Sequence, residues 1–296
     1  MKKQTIGFIG QGWVGKHIAD NFAKRGFKTV RYAKEPAYEQ NRAAVSACSI
    51  VFIAVPTPTT SRGFDNSILQ SVIGVVGTGN IAVIKSTVLP GTTDKLQKKH
   101  PDIIILHAPE FLRETSVMND VAHPNRNILG IPSKKLDNPR WRRAAKKVMG
   151  VLPYAPYRVI CSAPEAELTK YAGNNFLYMK VVFMNMLYDL AQTYGARWDV
   201  LAKNMVADPR IGASHMEPVH QHDHMGKRRG RGAGGHCFIK DFAAFRELYE
   251  EVLPKDKETI ALLKAFEAKN NKLLRDSKKD LDLLAGVYGK HVKVTP

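Results

Sequence analysis

The sequence predicts an α/β fold, a doubly wound parallel sheet followed by an all-helical domain with a long central helix. Three observations carry this expectation. Short apolar runs alternate with helical stretches over residues 1–161, the periodicity turns wholly helical after Cys161, and one helical pattern, from Glu165 to Tyr194, is longer than most globular helices.

Taken in order, Thr5 to Gly10 is a short apolar run ending in glycine. A helical pattern follows, with Val14, Ile18, Phe22 and Ala23 on one face. Further apolar runs are Lys28 to Tyr32, Ile50 to Val55, Ile81 to Lys85, Ile103 to Leu106, Asn127 to Ile131 and Arg158 to Cys161. Continuous apolar strands separated by helices are the pattern of a parallel sheet covered on both faces. Within the Glu165 to Tyr194 helix, Leu168, Tyr171, Ala172, Phe176, Met179, Val182, Phe183 and Leu187 form its apolar positions, a pattern suited to a spine or a homodimer interface. Helical segments follow at Trp198 to Val206, Phe242 to Glu251 and Lys257 to Leu284, interrupted by a loop rich in glycine and histidine from Asp208 to His236. The expected division is a nucleotide-binding domain over 1–161 and a helical domain over 162–296.

Composition excludes several classes. The chain has 296 residues, 44% apolar and 24% charged, with no low-complexity tract, so it should bury an ordinary core. No apolar run is long enough to span a membrane and the N-terminus lacks a signal-peptide core, so a cytoplasmic protein with no membrane partner is expected. Three cysteines, Cys48, Cys161 and Cys237, are too few for a disulfide framework, and reduced thiols follow. Lys and Arg number 45 against 27 Asp and Glu, a net charge of +18. Such a charge suits nucleic acid or small anionic ligands. The excess is spread along the chain without basic arms, and its one dense run, Lys227 to Arg231, suits a diphosphate clamp as well as it suits nucleic acid. Nucleic acid is therefore the weaker expectation.

Gly10-Gln11-Gly12-Trp13-Val14-Gly15 follows the first strand and opens the first helix. Glycines at these positions permit a tight turn, close approach of a pyrophosphate and close helix–strand packing, with the helix N-terminus facing the phosphates. This makes the first domain Rossmann-like and a dinucleotide its expected ligand. Tyr32 stands where an acidic residue would hold the ribose of NAD; flanked by Arg31 and Lys34, it leaves NADP open beside NAD. Val55-Pro56-Thr57-Pro58-Thr59, Lys85-Ser86-Thr87-Val88 and Ala108-Pro109-Glu110-Phe111-Leu112-Arg113-Glu114 each follow the carboxyl end of an expected strand, where open α/β sheets bind ligands.

On the long helix Lys170 and Asn174 are four residues apart and share a face, an arrangement able to hydrogen-bond an alkoxide or carbonyl oxygen. Gly232-Ala233-Gly234-Gly235-His236-Cys237-Phe238-Ile239-Lys240-Asp241 sets a thiol at an expected helix N-terminus, with Asp241 one turn beyond. A cysteine so placed is a usable nucleophile, and the aspartate a base for a nearby water. Cys48 and Cys161, each adjoining an apolar run, read as structural. His220, His222 and His224 alternate, but with only Asp223 to complete a site the loop reads as solvated and no metal is expected.

The ordered set GxGxxG, VPTPT, KSTV, PEFLRE, Asp120, Pro124 and Arg126, ELxKxxxNxF and GxGGxCFxKD resembles the UDP-glucose/GDP-mannose dehydrogenase family from Ile6 to about Asp241. The resemblance implies an NAD-dependent oxidoreductase that takes C6 of a nucleotide sugar from alcohol to carboxylate. It makes Cys237 the covalent nucleophile, with Lys170 and Asn174 stabilising oxyanions. Asp241 would orient water, aided by Glu110 and Thr87. It further implies cofactor contacts from Gly10, Gly12, Trp13, Val14, Gly15, Tyr32, Val55, Pro56, Thr57, Ser86 and Thr87. Substrate contacts would come from Phe111, Leu112, Arg113, Glu114, Lys170, Asn174, Arg210 and Gly234.

The sequence also departs from the family pattern. Only 17 residues separate Tyr32 from Ile50, too few for the usual helix, strand and helix, and His236 stands where the family carries serine. The resemblance leads one to expect a short form without the C-terminal UDP-binding domain. Two alternatives stand beside it. One is an oxidoreductase like the β-hydroxyacid dehydrogenases, which the Lys170 to Asn175 segment only approximates; the other is a catalytically reduced cofactor-binding homologue.

Overall fold

The computed structural model describes residues 4–221 and 223–289. The chain divides into two compact units, residues 1–57 with 65–170, and residues 58–64 with 171–296.

The first unit is built on a seven-stranded sheet of β1 (Thr5–Ile9), β2 (Lys28–Tyr32), β3 (Ile50–Ile53), β6 (Ile81–Ile84), β7 (Ile104–His107), β8 (Arg126–Ile131) and β9 (Tyr157–Ser162), in the order β2-β1-β3-β6-β7-β8-β9. The helices between them are α1 (Trp13–Lys24), α2 (Arg42–Ser46), α3 (Ser67–Ile73), α4 (Thr92–Lys99), α5 (Val117–Ala122) and α6 (Pro139–Val151). The central strands β3, β6 and β7 are buried at every position, as continuous apolar runs flanked by helices require. One core gathers Ile6, Phe8, Phe22, Phe52, Val83 and Leu106 with Trp141, Ala145 and Val148 of α6. The chain passes from β1 to β2 in one direction and then to β3 on the other side, so the switch point of the sheet lies between β1 and β3.

The sheet is mixed and not wholly parallel, because β8 runs antiparallel to β7. Between β7 and β8 the chain forms no long crossover helix, only a single 3-10 turn (Glu114–Ser116) and the six-residue α5, about 9 Å of helix. The chain re-enters from the edge it left, and β8 points the opposite way. The short connection from Tyr32 to Ile50 holds only α2 beyond a single turn of 3-10 helix, and β2 is one edge strand of the sheet, with β9 the other.

The second unit is helical. It contains α7 (Ala163–Thr193) from Tyr171 onward, α8 (Trp198–Val206), α9 (Gly235–Val252), α10 (Lys257–Asp276) and α11 (Leu281–Tyr288). Two short antiparallel ladders join them: β4 (Thr59–Thr60) with β5 (Gly63–Phe64), and β10 (Val219–His220) with β11 (Gly230–Arg231). Tyr178 of α7 stacks on Phe242 of α9 with ring centroids 4.0 Å apart, at the centre of a core that includes Val181, Val182 and Leu263.

Two helix boundaries depart from the sequence reading. The expected helix from Lys257 to Leu284 is broken, since Lys278 and Asp280 adopt left-handed backbone (φ 55° and 52°) and α11 starts afresh after Asp280. Helix α9 starts at Gly235, seven residues before the expected Phe242, so Cys237 lies inside its first turn.

Candidate active site

In the first unit the residues expected to meet a dinucleotide converge at the carboxyl edge of the sheet. Gly10 takes φ +87°, and its amide donates to Tyr32 O at 2.9 Å, which joins the end of β1 to the end of β2. A Cβ on Gly15 would stand 2.0 Å from Gly10 O, so only glycine lets α1 approach the turn this closely. A Cβ on Gly12, by contrast, would meet no protein atom within 4 Å. Gly12 is the N-cap of α1 and gives the first amides of the helix no side-chain partner, as a phosphate cradle requires. Trp13 is largely exposed beside it. The neighbouring turns are tied together: Val55 N donates to Ser86 Oγ (2.9 Å), Ser86 Oγ donates back to Val55 O (2.7 Å), and Thr57 Oγ1 donates to Thr87 O (2.7 Å). Arg31, which left NADP open, is ion-paired with Asp20 at 2.7 Å. Its charge is therefore already committed, and the residues present fit NAD.

Behind these turns lies a cluster of buried charge. Lys170 Nζ, on α7, donates to Glu110 Oε1 at 2.9 Å, the two side chains being 5% and 10% exposed. Glu110 Oε2 accepts from Leu112 N at 2.8 Å, and Lys85 Nζ donates to Pro109 O at 3.3 Å. Burial drives the Lys85 ammonium down to about 8, with Glu110 opposing the shift and Lys170 reinforcing it. His107, completely buried, is held down to about 3 by the loss of water and by Lys85. A cavity of about 390 Å³ opens beside this cluster, lined by Lys85, Glu110, Phe111, Leu112, Arg113 and Arg126 among others. Arg126 stacks 3.8 Å from the centroid of Phe111. Arg113 forks onto Asp120, whose carboxyl this guanidinium holds down to about 2, so Asp120 braces the turn. Glu114 follows on an exposed single turn.

One turn before Lys170, Glu167 is wholly buried and caps another helix. Its carboxylate accepts from Gly91 N (2.6 Å), Thr93 N (2.9 Å) and Thr93 Oγ1 (2.6 Å) at the start of α4. Burial raises this carboxyl to about 7, against the pull of those donors.

In the second unit Asn174 Nδ2 donates to Asp241 Oδ2 at 2.6 Å, and Lys240 Nζ forms an ion pair with Asp241 Oδ1. Lys240, inside the motif that carries the thiol, thus serves Asp241, which is itself buried. Cys237 is exposed, the third residue of α9. Cys48 is buried, and Cys161 is pushed up to about 11 by burial first and Glu165 second, as suits structural thiols.

The first turn of α9 has no cap of its own. Asp280 supplies one from the start of α11, accepting from Gly235 N at 2.8 Å through Oδ2. A Cβ on Gly234 would lie 2.0 Å from that same oxygen, so the glycine is there to admit the carboxylate. Asn270 pairs with both backbone groups of Ala233, at 2.7 and 3.0 Å, and Lys279 Nζ donates to Gly232 O at 3.0 Å. Arg231 is fully engaged, binding Asn185 and forming an ion pair with Asp189 at 2.6 Å. It is therefore a structural residue, and the proposed diphosphate clamp loses that member. Arg210 forks onto Asp208 on an exposed turn. His222 lies outside the described residues; among those described, no group of three or more His, Cys, Asp or Glu is placed to hold a metal ion. None of the described helices is long and apolar enough to cross a membrane.

Sequence reasoning gave no role to Lys85, His107, Glu167 or Asp280, and it set Lys240 beside the thiol and not on Asp241. Lys85 lies inside a motif already singled out, and Glu167 is one turn from Lys170. Asp280 has no signal in the sequence, because its role depends on a contact 45 residues distant.

Comparison with known proteins places the chain in a family. The NAD binding domain model of the UDP-glucose/GDP-mannose dehydrogenase family matches residues 36–147, and the central domain model of the same family matches residues 164–272. A UDP-glucose 6-dehydrogenase of Rhizobium meliloti is 33% identical over 218 residues, which are 69% of this chain and 46% of that protein. The putative UDP-glucose 6-dehydrogenase YtcA of Bacillus subtilis is 30% identical over 233 residues, 75% of this chain and 50% of the relative. The chain thus spans about half the length of the curated relatives it matches. A UDP-glucose dehydrogenase structure from Pyrobaculum islandicum superposes with a TM-score of 0.76 at 27% identity, covering 92% of this chain and 69% of that one. A 3-hydroxyisobutyrate dehydrogenase from Mycobacterium tuberculosis shares the fold alone, with a TM-score of 0.67 at 14% identity. With both family models matched and a relative 33% identical over 69% of this chain's length, the chain belongs to the UDP-glucose/GDP-mannose dehydrogenase family.

Proposed function

We propose that the protein is an NAD-dependent nucleotide-sugar dehydrogenase that oxidises the C6 hydroxyl of a UDP-sugar of the UDP-glucose type to the carboxylate, working in the cytoplasm as a homodimer. The observation that carries this reading is the placement of Cys237, exposed in the first turn of a helix, one turn ahead of an Asp241 carboxylate already oriented by Asn174 and Lys240.

Residues 1–161 would serve as the cofactor domain and 162–296 as the helical domain bearing the thiol. Gly10, Gly12, Trp13, Val14 and Gly15 would hold the dinucleotide phosphates on the N-terminus of α1. Tyr32, Val55, Pro56, Thr57, Ser86 and Thr87 would complete its site. Bound there, NAD would supply the hydride acceptor for both oxidations. The chain's own residues do the rest. Lys170, whose ammonium is fixed by Glu110, donates with Asn174 to the C6 oxygen as negative charge develops there. The Cys237 thiolate adds to the aldehyde carbon, giving a thiohemiacetal whose oxidation yields a thioester. Asp241, aided by Glu110 and Thr87, orients the water that adds to the thioester carbon and expels the thiolate, releasing the acid. Phe111, Leu112, Arg113, Glu114, Arg210 and Gly234 would contact the nucleotide sugar.

Helix α7 favours a dimer. Phe176, Phe183, Met186, Leu190 and Tyr194 expose apolar surface along it, with Phe176, Phe183 and Leu190 seven residues apart.

The test is stoichiometry. Two NADH formed per uronate from UDP-glucose are expected of the full chain, and no uronate from Cys237→Ala. Sustained two-NADH turnover by Cys237→Ala would overturn the thioester route.

A further inference from the structure

The loop from Asp208 to Gly234 and the first turn of α9 meet at one buried carboxylate. Asp280 Oδ2 accepts from Gly235 N, while Asp280 Oδ1 accepts from the backbone amide of His224 at 2.9 Å and lies 2.7 Å from its ring Nδ1. The other ring nitrogen, Nε2, is 3.1 Å from Asp282 Oδ2. The Asp280 side chain has no exposure, and His224 is only 10% exposed. A neutral imidazole has one N–H donor, so only the imidazolium can donate to both carboxylates at once. The His224 ring also lies edge-on to His236, the residue before Cys237, with centroids 5.1 Å apart.

We propose that His224, held between Asp280 and Asp282, is a positioning residue for Cys237, locking the His/Arg-rich loop to the carboxylate that caps the cysteine-bearing turn. This rests on the reading of Cys237 as nucleophile, and it adds that the thiol's placement depends on a protonated histidine of the preceding loop, tied to a carboxylate from the start of α11.

The groups facing His224 agree. Asp280 and Asp282 come from the start of α11 and Asp223 from the loop itself, and all three raise the imidazole, the Asp280 hydrogen bond most. His236 contributes from α9. Lys279, which pairs electrostatically with Asp280 and Asp223, is spent on Gly232 O. Asp280 adopts left-handed backbone, at φ 52°, to bring its carboxylate into this junction. Below the raised His224 pKa the imidazolium bridges both carboxylates. Above it one donor is lost and the loop is held only through the other.

The experiment uses the full chain and reads alkylation of Cys237 by iodoacetamide, resolved by peptide mass, from pH 5 to 9. The wild type should show two inflections, one from the thiol and one from His224. His224→Gln should show the thiol inflection alone. In steady state His224→Gln should lower kcat by about 10- to 100-fold with a much smaller change in KM, because the thiol and not the sugar is displaced. Asp280→Asn should act in the same direction. If that variant does not fold, His224→Gln, whose ring is at the rim of the junction, decides. Superimposable alkylation profiles for wild type and His224→Gln would overturn the proposal. Because alkylation needs no turnover, that outcome is distinct from failure of the dehydrogenase reading, which would appear as no NADH from wild type with UDP-sugars.

Discussion

Removing the Glu110 carboxylate should unsettle two ammonium groups at once, and the structure says by how much and at which pH. Glu110 is 2.9 Å from Lys170 Nζ in a setting 5–10% exposed, and its charge also supports Lys85. Breaking a buried pair by deleting one partner costs about 3–5 kcal/mol, since the other charge stays buried and uncompensated. Glu110→Gln takes the carboxylate from both Lys170 and Lys85, so it should sit near the upper end. Lys170→Met leaves Glu110 with Lys85 and the Leu112 amide and should sit near the lower end. The double variant should cost less than the sum, with a coupling of about 2 kcal/mol. A pH dependence follows. Lys85 titrates near 8 when folded against 10.5 when unfolded, so between those values the unfolded chain binds more protons and stability rises with pH. Without Glu110 the folded value falls below 8 and that rise starts earlier. The penalty of Glu110→Gln should therefore shrink between pH 7 and 9. Urea unfolding of wild type, both single variants and the double variant, at those two pH values, measures every quantity. Additive single costs, or a penalty independent of pH, would refute the reasoning.

Three further outcomes are expected. His107 titrates at about 3 folded against 6.5 unfolded, so its contribution is present above 6.5 and lost as pH falls through that interval. At about 1.4 kcal/mol per pH unit this amounts to about 5 kcal/mol. His107→Leu should flatten the acid limb of stability measured by denaturant titration, and an unchanged limb would place the acid sensitivity elsewhere. Gly234→Ala drives a methyl onto the Asp280 carboxylate and should cost about 1–3 kcal/mol, seen as a lowered Tm. Phe183→Asp on the exposed face of α7 should convert a dimer to a monomer in light scattering, and a monomeric wild type would sink the dimer proposal.

The strands were legible because a buried parallel sheet writes itself as continuous apolar runs, and β3, β6 and β7 are of that kind. The direction of β8 was not, since it depends on where the Ala108 to Asn125 connection ends and not on any residue within β8. The break after Asp276 was hidden because the apolar spacing carries on through Leu281 and Leu284, with no Gly or Pro to mark the left-handed residues. For the site, Lys170, Asn174, Cys237 and Asp241 could be picked out by residue type and spacing. The contacts that fix them could not, because Glu110 and Lys85 lie 60 and 85 residues from Lys170, and Asp280 caps the cysteine-bearing turn from 45 residues beyond Gly235.

Helix α7 enters the first unit on two anchors, Glu167 at the start of α4 and Lys170 on Glu110. Three residues separate them, which sets the rotational phase of the helix as a key is set by two teeth. A single residue inserted between them would turn everything downstream by about 100° relative to Glu167, so that Lys170 could no longer meet Glu110 while Glu167 holds the start of α4. The exposed face of α7 is free to vary in composition. The interval between its anchors is not, and length polymorphism should be absent from this stretch even where sequence identity is low.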